Sequence, residues 1–237
     1  MSIVLYDLAG REDRRFGPTC WRVRMALAHK QLAFETVPVR FLDIRGIGGE
    51  EGSPGFRTVP TIRAEGRWIT DSDAIAAWLE EAFPDRPTLF GGEGGRKLTD
   101  FFRQWVQQIL HAQIVRMVLV DVHDHLADAQ DQAYFRETRE ALFKAPLETV
   151  AAGREARIEP FRASLEPLRQ TLKDRPFLGG EAPLHADYMV LGAFQWARTV
   201  SPFAARLLAA DDPLRAWLGR LMELHGGLAG RAVAYPL

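Results

Sequence analysis

The chain has 237 residues, of which 26% are charged and 47% hydrophobic, and its formal net charge is −1. This composition is typical of a soluble globular protein and excludes the basic footprint of a nucleic-acid partner. No apolar run is long enough to span a membrane, and the strand-like start MSIVLYDLAG does not resemble a secretory signal. The single cysteine, Cys20, excludes an intramolecular disulfide and predicts a reducing compartment, with the cytoplasm as the default.

The first third of the chain alternates predicted strands and helices. Residues 3–8 and 34–39 have the composition of strands, and residues 18–30 that of a helix with proline in its first turn. A strand–helix–strand start predicts a parallel pair joined by a right-handed crossover. The glycine-rich residues 46–55 predict an irregular connection that has room for a short helix.

Residues 57–79 are predicted to form two short strands and the start of a helix. Pro60 removes a ladder donor, so it must lie at a sheet edge or a special peptide bond, cis being one alternative. The backbone of Val59 is then free to pair with an extended peptide. At the helix start, Ser72 suits a carboxylate and Asp71 suits an ammonium group. A peptide with both groups at one end describes glutathione; simple helix capping by Asp71 is the alternative.

The remainder of the chain is predicted to be helical. Proline and glycine crowd residues 83–95, which predicts a linker, and apolar residues then follow helical spacing from 98 to about 125. More helices are predicted over residues 130–143, 156–173, 186–200 and 213–224. The predicted fold class is α/β plus all-α, with a small α/β domain over residues 1–86 and an all-helical domain over residues 96–237.

Val59-Pro60 before Asp71-Ser72, in a small α/β domain followed by a helical one, resembles the glutathione transferase superfamily over essentially the whole chain. Residues 20–30, 72–90, 121–126 and 176–197 are similar to bacterial β-etherase-like members. The resemblance implies an N-terminal thioredoxin-like domain, a C-terminal helical bundle and a homodimer. It implies glutathione as co-substrate, no metal, and a glutathione site formed by the Val59 backbone, Asp71 and Ser72.

The chain departs from that family pattern at three places. Gly17 stands where the subgroup usually has a serine whose hydroxyl donates to the glutathione sulfur. Leu184 stands where the family commonly has a Ser or Thr cap three residues before Asp187. In the helix after Ser72 a tryptophan is common two residues before the alanine; here Asp73 follows Ser72 directly, and altered packing near the site is expected.

Thr19, in the first turn of the predicted helix, is the candidate to replace the missing serine by donating to the sulfur; simple capping or packing is the alternative. Cys20 is either a redox nucleophile, because a helix N-terminus lowers a thiol pKa, or a small buried hydrophobe. Tyr6 fits an ordinary strand residue better than a catalytic one. Arg22 and Arg24 either balance the charge of glutathione or are solvated or paired within the domain.

The histidines of the segment 121–125 do not predict a metal site, because His123 and His125 would project to nearly opposite sides of a helix. A second-substrate pocket is expected at the domain junction. The candidate lining residues, for which core packing is the alternative, are Trp105, His111, Val115, Trp196 and Phe203.

The predicted function is that of a glutathione transferase of the β-etherase-like type. It would activate glutathione as a thiolate for attack on a hydrophobic aromatic electrophile such as a β-aryl ether, in detoxification chemistry. A non-catalytic module of the same fold that binds glutathione or a protein is the alternative, because Gly17 lacks the expected hydroxyl.

Overall fold

A computed structural model describes residues 2–49 and 56–237. A four-stranded sheet has the order β2-β1-β3-β4 and consists of β1 (Ile3–Leu8), β2 (Glu35–Val39), β3 (Thr61–Ala64) and β4 (Arg67–Thr70). Strands β1 and β2 are parallel, as predicted, and β3 is antiparallel to both β1 and β4. Helices α1 (Pro18–His29) and α2 (Ser72–Ala82) pack against each other and the sheet. This sheet followed by a helical region confirms the predicted fold class.

The segment before β3 contains a cis peptide bond, which was one of the alternatives for Pro60. The Val59-Pro60 bond is cis, and strand β3 begins directly after it. Part of the predicted irregular connection 46–55 lies outside the described residues. A 3-10 turn at Ile44–Gly46 leads into that connection.

Eight helices follow in the described residues after α2. They are α3 (Glu93–Trp105), α4 (Ala112–Asp124), α5 (Ala129–Phe143), α6 (Leu147–Ala151), α7 (Ile158–Ser164), α8 (Glu166–Thr171), α9 (His185–Val200) and α10 (Leu214–Gly227). Helix α10 leaves helical geometry at Leu224, close to its predicted end. Among the described residues, no helix combines the length and the apolar character needed to cross a membrane.

Two helices that were predicted to be continuous are interrupted in the structure. The expected helix from 98 to about 125 is divided by a π-helical turn, Val106–His111, between α3 and α4. The expected helix 156–173 is divided into a 3-10 turn, α7 and α8, and Pro167 lies in the first turn of α8. Proline has no N–H to continue the hydrogen bonding of α7, which explains the second break. Helix α6 was not predicted.

Helix α9 joins the two parts of the molecule. It packs against α1 of the N-terminal part and against α3, α4 and α10 of the helical part. The approach to α1 depends on Gly192, because a Cβ there would lie 2.3 Å from the carbonyl oxygen of Pro18. The start of α1 is therefore held directly against the central helix of the helical region.

The start of α9 is fixed by a buried carboxylate. Asp187 accepts hydrogen bonds from the backbone N–H groups of Leu184 at 2.9 Å and Leu178 at 2.8 Å, and from Trp217 Nε1 at 3.1 Å. Asp187 thus caps its own helix and joins it to α10, although Leu184 offers no capping hydroxyl.

Candidate functional site

The start of helix α2 combines one side chain that is engaged in capping with one that is free. Asp71 is the N-cap, and its Oδ1 accepts from the N–H groups of Asp73 at 2.9 Å and Ala74 at 3.0 Å. Its backbone has a φ of 79°, a conformation that non-glycine residues rarely adopt and that often marks functional sites. Asp71 therefore does cap the helix, as the alternative interpretation predicted, and its Oδ2 atom is available for another partner.

Ser72 and Val59 keep polar groups without a partner next to this cap. Only 3% of the Ser72 surface is exposed, yet neither its hydroxyl nor its N–H has a hydrogen bond to any described residue. The N–H and C=O of Val59 likewise make no hydrogen bond within residues 2–49 and 56–237. Because polar groups in such places are normally paired, this corner of the sheet suits a ligand with both donors and acceptors.

The start of helix α1 has no side-chain cap. Gly17 is the N-cap residue, Pro18 follows it, and the N–H groups of Thr19 and Cys20 have no acceptor among the described residues. The half-buried hydroxyl of Thr19 also makes no hydrogen bond there. Free N–H groups at a helix start attract negative charge, so this end of α1 suits a thiolate.

Gly17 packs closely against the side chain of Cys20. A Cβ at Gly17 would lie 2.7 Å from the Cys20 sulfur and 3.3 Å from the Leu8 Cβ. The Cys20 thiol is itself fully buried, and burial together with the neighbouring Asp7 carboxylate raises its pKa well above the usual value. Cys20 therefore has the properties of a small core residue, which disfavours the redox-nucleophile alternative.

Arg22 on α1 connects the α2 start with the helical region. Its Nη2 lies 3.5 Å from Nε2 of His111, and burial lowers its pKa to about 10, with the Asp73 carboxylate acting in the opposite direction. Arg103 forms an ion pair with Asp73 at 3.2 Å. Burial and the Arg22 charge lower the His111 pKa to about 3, so this imidazole is neutral at physiological pH.

A cavity of about 630 Å³ opens beside the start of α1. Three of the predicted pocket residues, His111, Val115 and Trp196, lie in its lining, and the His111 and Trp196 rings meet edge to face with centroids 6.0 Å apart. Pro18 supplies part of the wall nearest α1. The structure thus brings an apolar cavity next to the helix start that suits a thiolate.

Trp105 and Phe203 lie elsewhere. Trp105 stacks on Phe102 with centroids 5.5 Å apart and lines a different cavity, between α3 and α8. The π-helical turn Val106–His111 follows Trp105 directly and interrupts the regular helical spacing there. Phe203 is buried beneath the Arg154 guanidinium, 4.5 Å from its ring centroid, so core packing accounts for it.

The other side chains considered from the sequence have ordinary partners. Arg24 pairs with Asp7 at 3.4 Å, and Tyr6 packs on the ring of Trp68. Nδ1 of His123 lies 3.2 Å from Asp124, whereas Nε2 of His125 lies 3.1 Å from the Tyr235 hydroxyl. Within the described part of the chain, no three His, Cys, Asp or Glu residues are grouped so that they could hold a metal ion.

Several residues of this region were not predicted from the sequence. The cavity wall includes the aromatic residues Phe16, Phe41 and Phe135 and the charged residues Arg116 and Arg139. Of the features of the sequence, only the aromatic residues at 135 and 143 of a predicted helix could have indicated part of this wall. Phe16 and Phe41 come from loops, which no periodic pattern marks.

Comparison with known families identifies the chain. Residues 16–82 match the model of the glutathione S-transferase N-terminal domain, and residues 98–224 match that of the C-terminal domain. The chain belongs to the glutathione S-transferase family. The starts of α1 and α2 fall inside the N-terminal match.

Solved glutathione S-transferases have the same fold. A glutathione transferase of Phanerochaete chrysosporium is 27% identical with a TM-score of 0.74, over 98% of this chain and 95% of that one. A glutathione S-transferase of Ceriporiopsis subvermispora in complex with glutathione has a TM-score of 0.76 at 23% identity, over 94% and 96% of the two chains, and shows the fold alone.

Curated relatives match over shorter segments. A maleylacetoacetate isomerase of Dictyostelium discoideum is 33% identical over 95 residues, which is 38% of this chain and 41% of that protein. A glutathione S-transferase-like protein of Aspergillus flavus is 27% identical over 140 residues, 54% of this chain and 50% of its own. The chain thus spans half the length or less of these two relatives.

Proposed function

We propose that this glutathione S-transferase binds glutathione as co-substrate, activates it as a thiolate, and transfers it to an aromatic electrophile. The observation that carries the proposal is the set of unpaired polar groups on Val59 and Ser72, together with an aromatic-walled cavity at the start of α1. A β-aryl ether, as in the β-etherase-like subgroup, is the proposed substrate type, and detoxification in the cytoplasm the proposed context.

Each part of glutathione has a candidate partner. The extended peptide would pair with the N–H and C=O of Val59 in the manner of an added strand. Its γ-glutamyl carboxylate would accept from the hydroxyl and N–H of Ser72 at the start of α2. Its ammonium would pair with the free Oδ2 of Asp71, while Oδ1 continues to cap the helix.

The sulfur would lie at the start of α1. Thr19 is the proposed catalytic residue, because its hydroxyl is free to donate and no serine is present at position 17. The N–H groups of Thr19 and Cys20 would add to this stabilisation of the thiolate, which is the nucleophilic form. The proton of the thiol would pass to solvent.

The cavity residues His111, Val115 and Trp196 would hold the electrophile, whereas Trp105 is not included because it lines another cavity. For a β-aryl ether, the sulfur forms a bond to the carbon, the carbon–oxygen bond breaks, and the phenolate leaves with the electron pair and takes a proton from solvent. No acid is required for so stable a leaving group.

A non-catalytic module that binds glutathione is the second candidate. It is favoured by Gly17, which offers no hydroxyl to the sulfur and cannot acquire one without displacing Cys20. Retention on immobilised glutathione without turnover of any electrophile would support this alternative.

We also propose the domain division of residues 1–86 and 96–237, and a homodimer. On α3, Leu98 is 73% and Phe101 76% exposed, and both border the second cavity. Such apolar exposure on one helix face is typical of an interface, and a second copy of this chain is the proposed occupant. Light scattering should give a dimer for the native chain and a monomer for Phe101→Glu; a native monomer would refute it.

Calorimetry and a substrate panel test the proposed function. Ser72→Ala should weaken glutathione binding by about 1–3 kcal/mol, the range for a charged ligand group left short of a hydrogen bond. Thr19→Val should reduce turnover of aromatic halides and of a β-aryl ether ketone, while Thr171→Val on the distant helix α8 should not. Unchanged affinity in Ser72→Ala would contradict the glutathione site, and activity confined to disulfides would contradict the transferase chemistry.

A further inference from the structure

The large cavity carries positive charge with no acidic residue in its described lining. Arg116 of α4 and Arg139 of α5 both line it, together with the neutral amides of Gln107 and Gln108. The remaining described wall consists of apolar or aromatic residues, the neutral His111 and the ring of Pro18. The described wall of the cavity is therefore mostly apolar, and the charged groups in it are cationic.

Arg139 is half-buried without a counter-ion. Its guanidinium carbon lies 5.2 Å from the Phe41 ring centroid and 5.0 Å from that of Phe135, and burial lowers its pKa. Its single hydrogen bond in the described structure runs from Nη1 to the Thr138 hydroxyl at 2.9 Å. A guanidinium has five N–H donors, so most of its binding capacity is unused in a place where an unpaired charge is costly.

Arg116 and Arg139 differ in this respect from their neighbours. Arg116 lies over the Phe143 ring at 5.7 Å and has no ion pair among the described residues. On the same helix as Arg139, Arg136 pairs with Glu140 and with Glu148, each at 2.9 Å. Arg154 pairs with Asp121 at 2.7 Å. The chain supplies carboxylates to these arginines but none, in its described part, to the two that line the cavity.

Aromatic rings lead from the start of α1 to Arg139. The centroids of Phe16 and Phe41 are 5.9 Å apart, and those of Phe41 and Phe135 are 5.7 Å apart. Phe16 precedes the α1 start, and Phe135 precedes Arg139 by one helical turn. A planar substrate lying along these rings would present one end to the helix start and the other to the guanidinium.

We propose that the electrophile is an aromatic carboxylate, whose ring lies against these phenylalanines and whose carboxylate is bound by Arg139 with support from Arg116. The inference rests on the proposed function, since the sulfur must lie at the α1 start to attack a carbon of the bound substrate. Arg139 offers the paired donors that a carboxylate accepts. These arginines position the substrate and take no part in bond changes.

A matched pair of electrophiles tests this substrate class. In a para-chloro-dinitrobenzoate and the corresponding benzamide, the thiolate forms the carbon–sulfur bond, the carbon–chlorine bond breaks, and chloride leaves with the electron pair. Each kcat/KM is divided by the uncatalysed rate with glutathione, which removes the difference in ring activation. The native protein should then favour the benzoate by about tenfold or more, the effect of one charge-assisted contact.

Substitutions on one helix separate the cavity arginine from a general charge effect. Arg139→Gln should abolish most of the benzoate preference, Arg139→Lys should retain part of it, and Arg136→Gln should leave it intact. A chlorine-free dinitrobenzoate, which cannot react, should quench the part of the tryptophan fluorescence that comes from Trp196 in the cavity wall, and it should bind about tenfold more weakly to Arg139→Gln.

The outcomes distinguish this inference from the proposed function. Equal normalised rates for both electrophiles, unchanged in Arg139→Gln, would overturn the carboxylate inference and leave the transferase proposal in place. No turnover of either electrophile would overturn the transferase proposal. In that event, affinity for the unreactive benzoate that is the same in native protein and Arg139→Gln would also overturn the inference.

Discussion

The starts of helices α1 and α2 lie in the same small domain but are built in opposite ways. Helix α2 begins with two polar side chains, and Asp71 fills the capping role so that Ser72 stays free. Helix α1 begins with Gly17 and Pro18, which have no polar side chain, and leaves the backbone N–H groups of Thr19 and Cys20 open. Recognition of a ligand at α2 would rely mainly on side chains, and stabilisation of a thiolate at α1 would combine the Thr19 hydroxyl with backbone N–H groups.

This difference explains why the two sites respond differently to substitution. A side chain that binds a ligand can be removed without affecting its neighbours, as long as another residue caps the helix. A backbone site is altered only by changing its packing, and at α1 that packing is the contact between Gly17 and Cys20. The start of α9 is a third arrangement, in which one buried carboxylate holds the helix start alone.

The largest effect is expected at α9. Asp187→Ala removes a fully buried acceptor from the N–H groups of Leu178 and Leu184 and from the indole of Trp217. Leaving several buried donors unpaired should lower the free energy of unfolding by about 3–5 kcal/mol. Urea unfolding measures the loss, and glutathione affinity of the folded fraction should change far less. A melting temperature equal to that of the native protein would contradict this role, and exposed Asp174→Ala is the control.

The pH dependence of stability tests the contact between the start of α9 and the segment that follows α2, which includes Phe90. Burial lowers the pKa of His185 to about 3, and neither ring nitrogen has a partner in the described structure. Between pH 6.5 and about pH 3 the unfolded chain binds a proton at this histidine that the native state does not bind. The contribution of His185 to the free energy of unfolding is therefore fully present above pH 6.5 and is lost as the pH drops toward 3. Between pH 7 and pH 5 one such histidine costs about 2 kcal/mol.

His185→Phe should remove this pH-dependent contribution, because phenylalanine binds no proton. The new ring can keep the edge-to-face contact with Phe90, whose centroid lies 5.6 Å away, so the packing is preserved. Urea unfolding at the two pH values gives the difference for each protein. His111, whose pKa is also about 3, should retain its own contribution in the variant. An identical pH dependence in the native protein and the variant would show that His185 does not exclude the proton.

Packing at α1 predicts that the family's serine cannot simply be installed. Gly17→Ser should lower the free energy of unfolding by about 1–3 kcal/mol, because the new Cβ meets the Cys20 sulfur at 2.7 Å. Cys20→Ala in the same chain removes that sulfur and should restore part of the loss. Unfolding curves of the two single variants and the double variant measure the coupling. Additive losses, with no recovery in the double variant, would contradict the contact.

The sequence predicted the parts of this molecule that depend on local residue order. The fold class, the parallel pair β1–β2 and the helix start at Asp71-Ser72 follow from hydrophobic period and capping chemistry, which neighbouring residues determine. The close contact of Gly17 with Cys20 depends on how the first turn of α1 packs against Leu8 of β1, which no sequence pattern records. The π-helical turn Val106–His111 likewise moved Trp105 away from the cavity that regular helical spacing would have given it.

The smallest effect on stability is expected at α2, and it separates the two side chains of the proposed glutathione site. Asp71→Ala should lower the free energy of unfolding by about 1 kcal/mol, since a helix loses its N-cap. Asp71→Asn keeps a capping oxygen and tolerates the positive φ, so it should be nearly as stable as the native protein. Ser72→Ala should change stability by less than about 0.5 kcal/mol, because the hydroxyl has no partner in the described structure.

Binding should order the same three variants differently. Asp71→Asn and Ser72→Ala should both weaken glutathione binding by about 1–3 kcal/mol, although neither changes the fold, because each loses a group that pairs with a charged part of the ligand. Calorimetry and urea unfolding on one set of preparations give both quantities. If Ser72→Ala loses as much stability as Asp71→Ala and no affinity, its hydroxyl is structural, and the two helix starts would not divide recognition from sulfur chemistry.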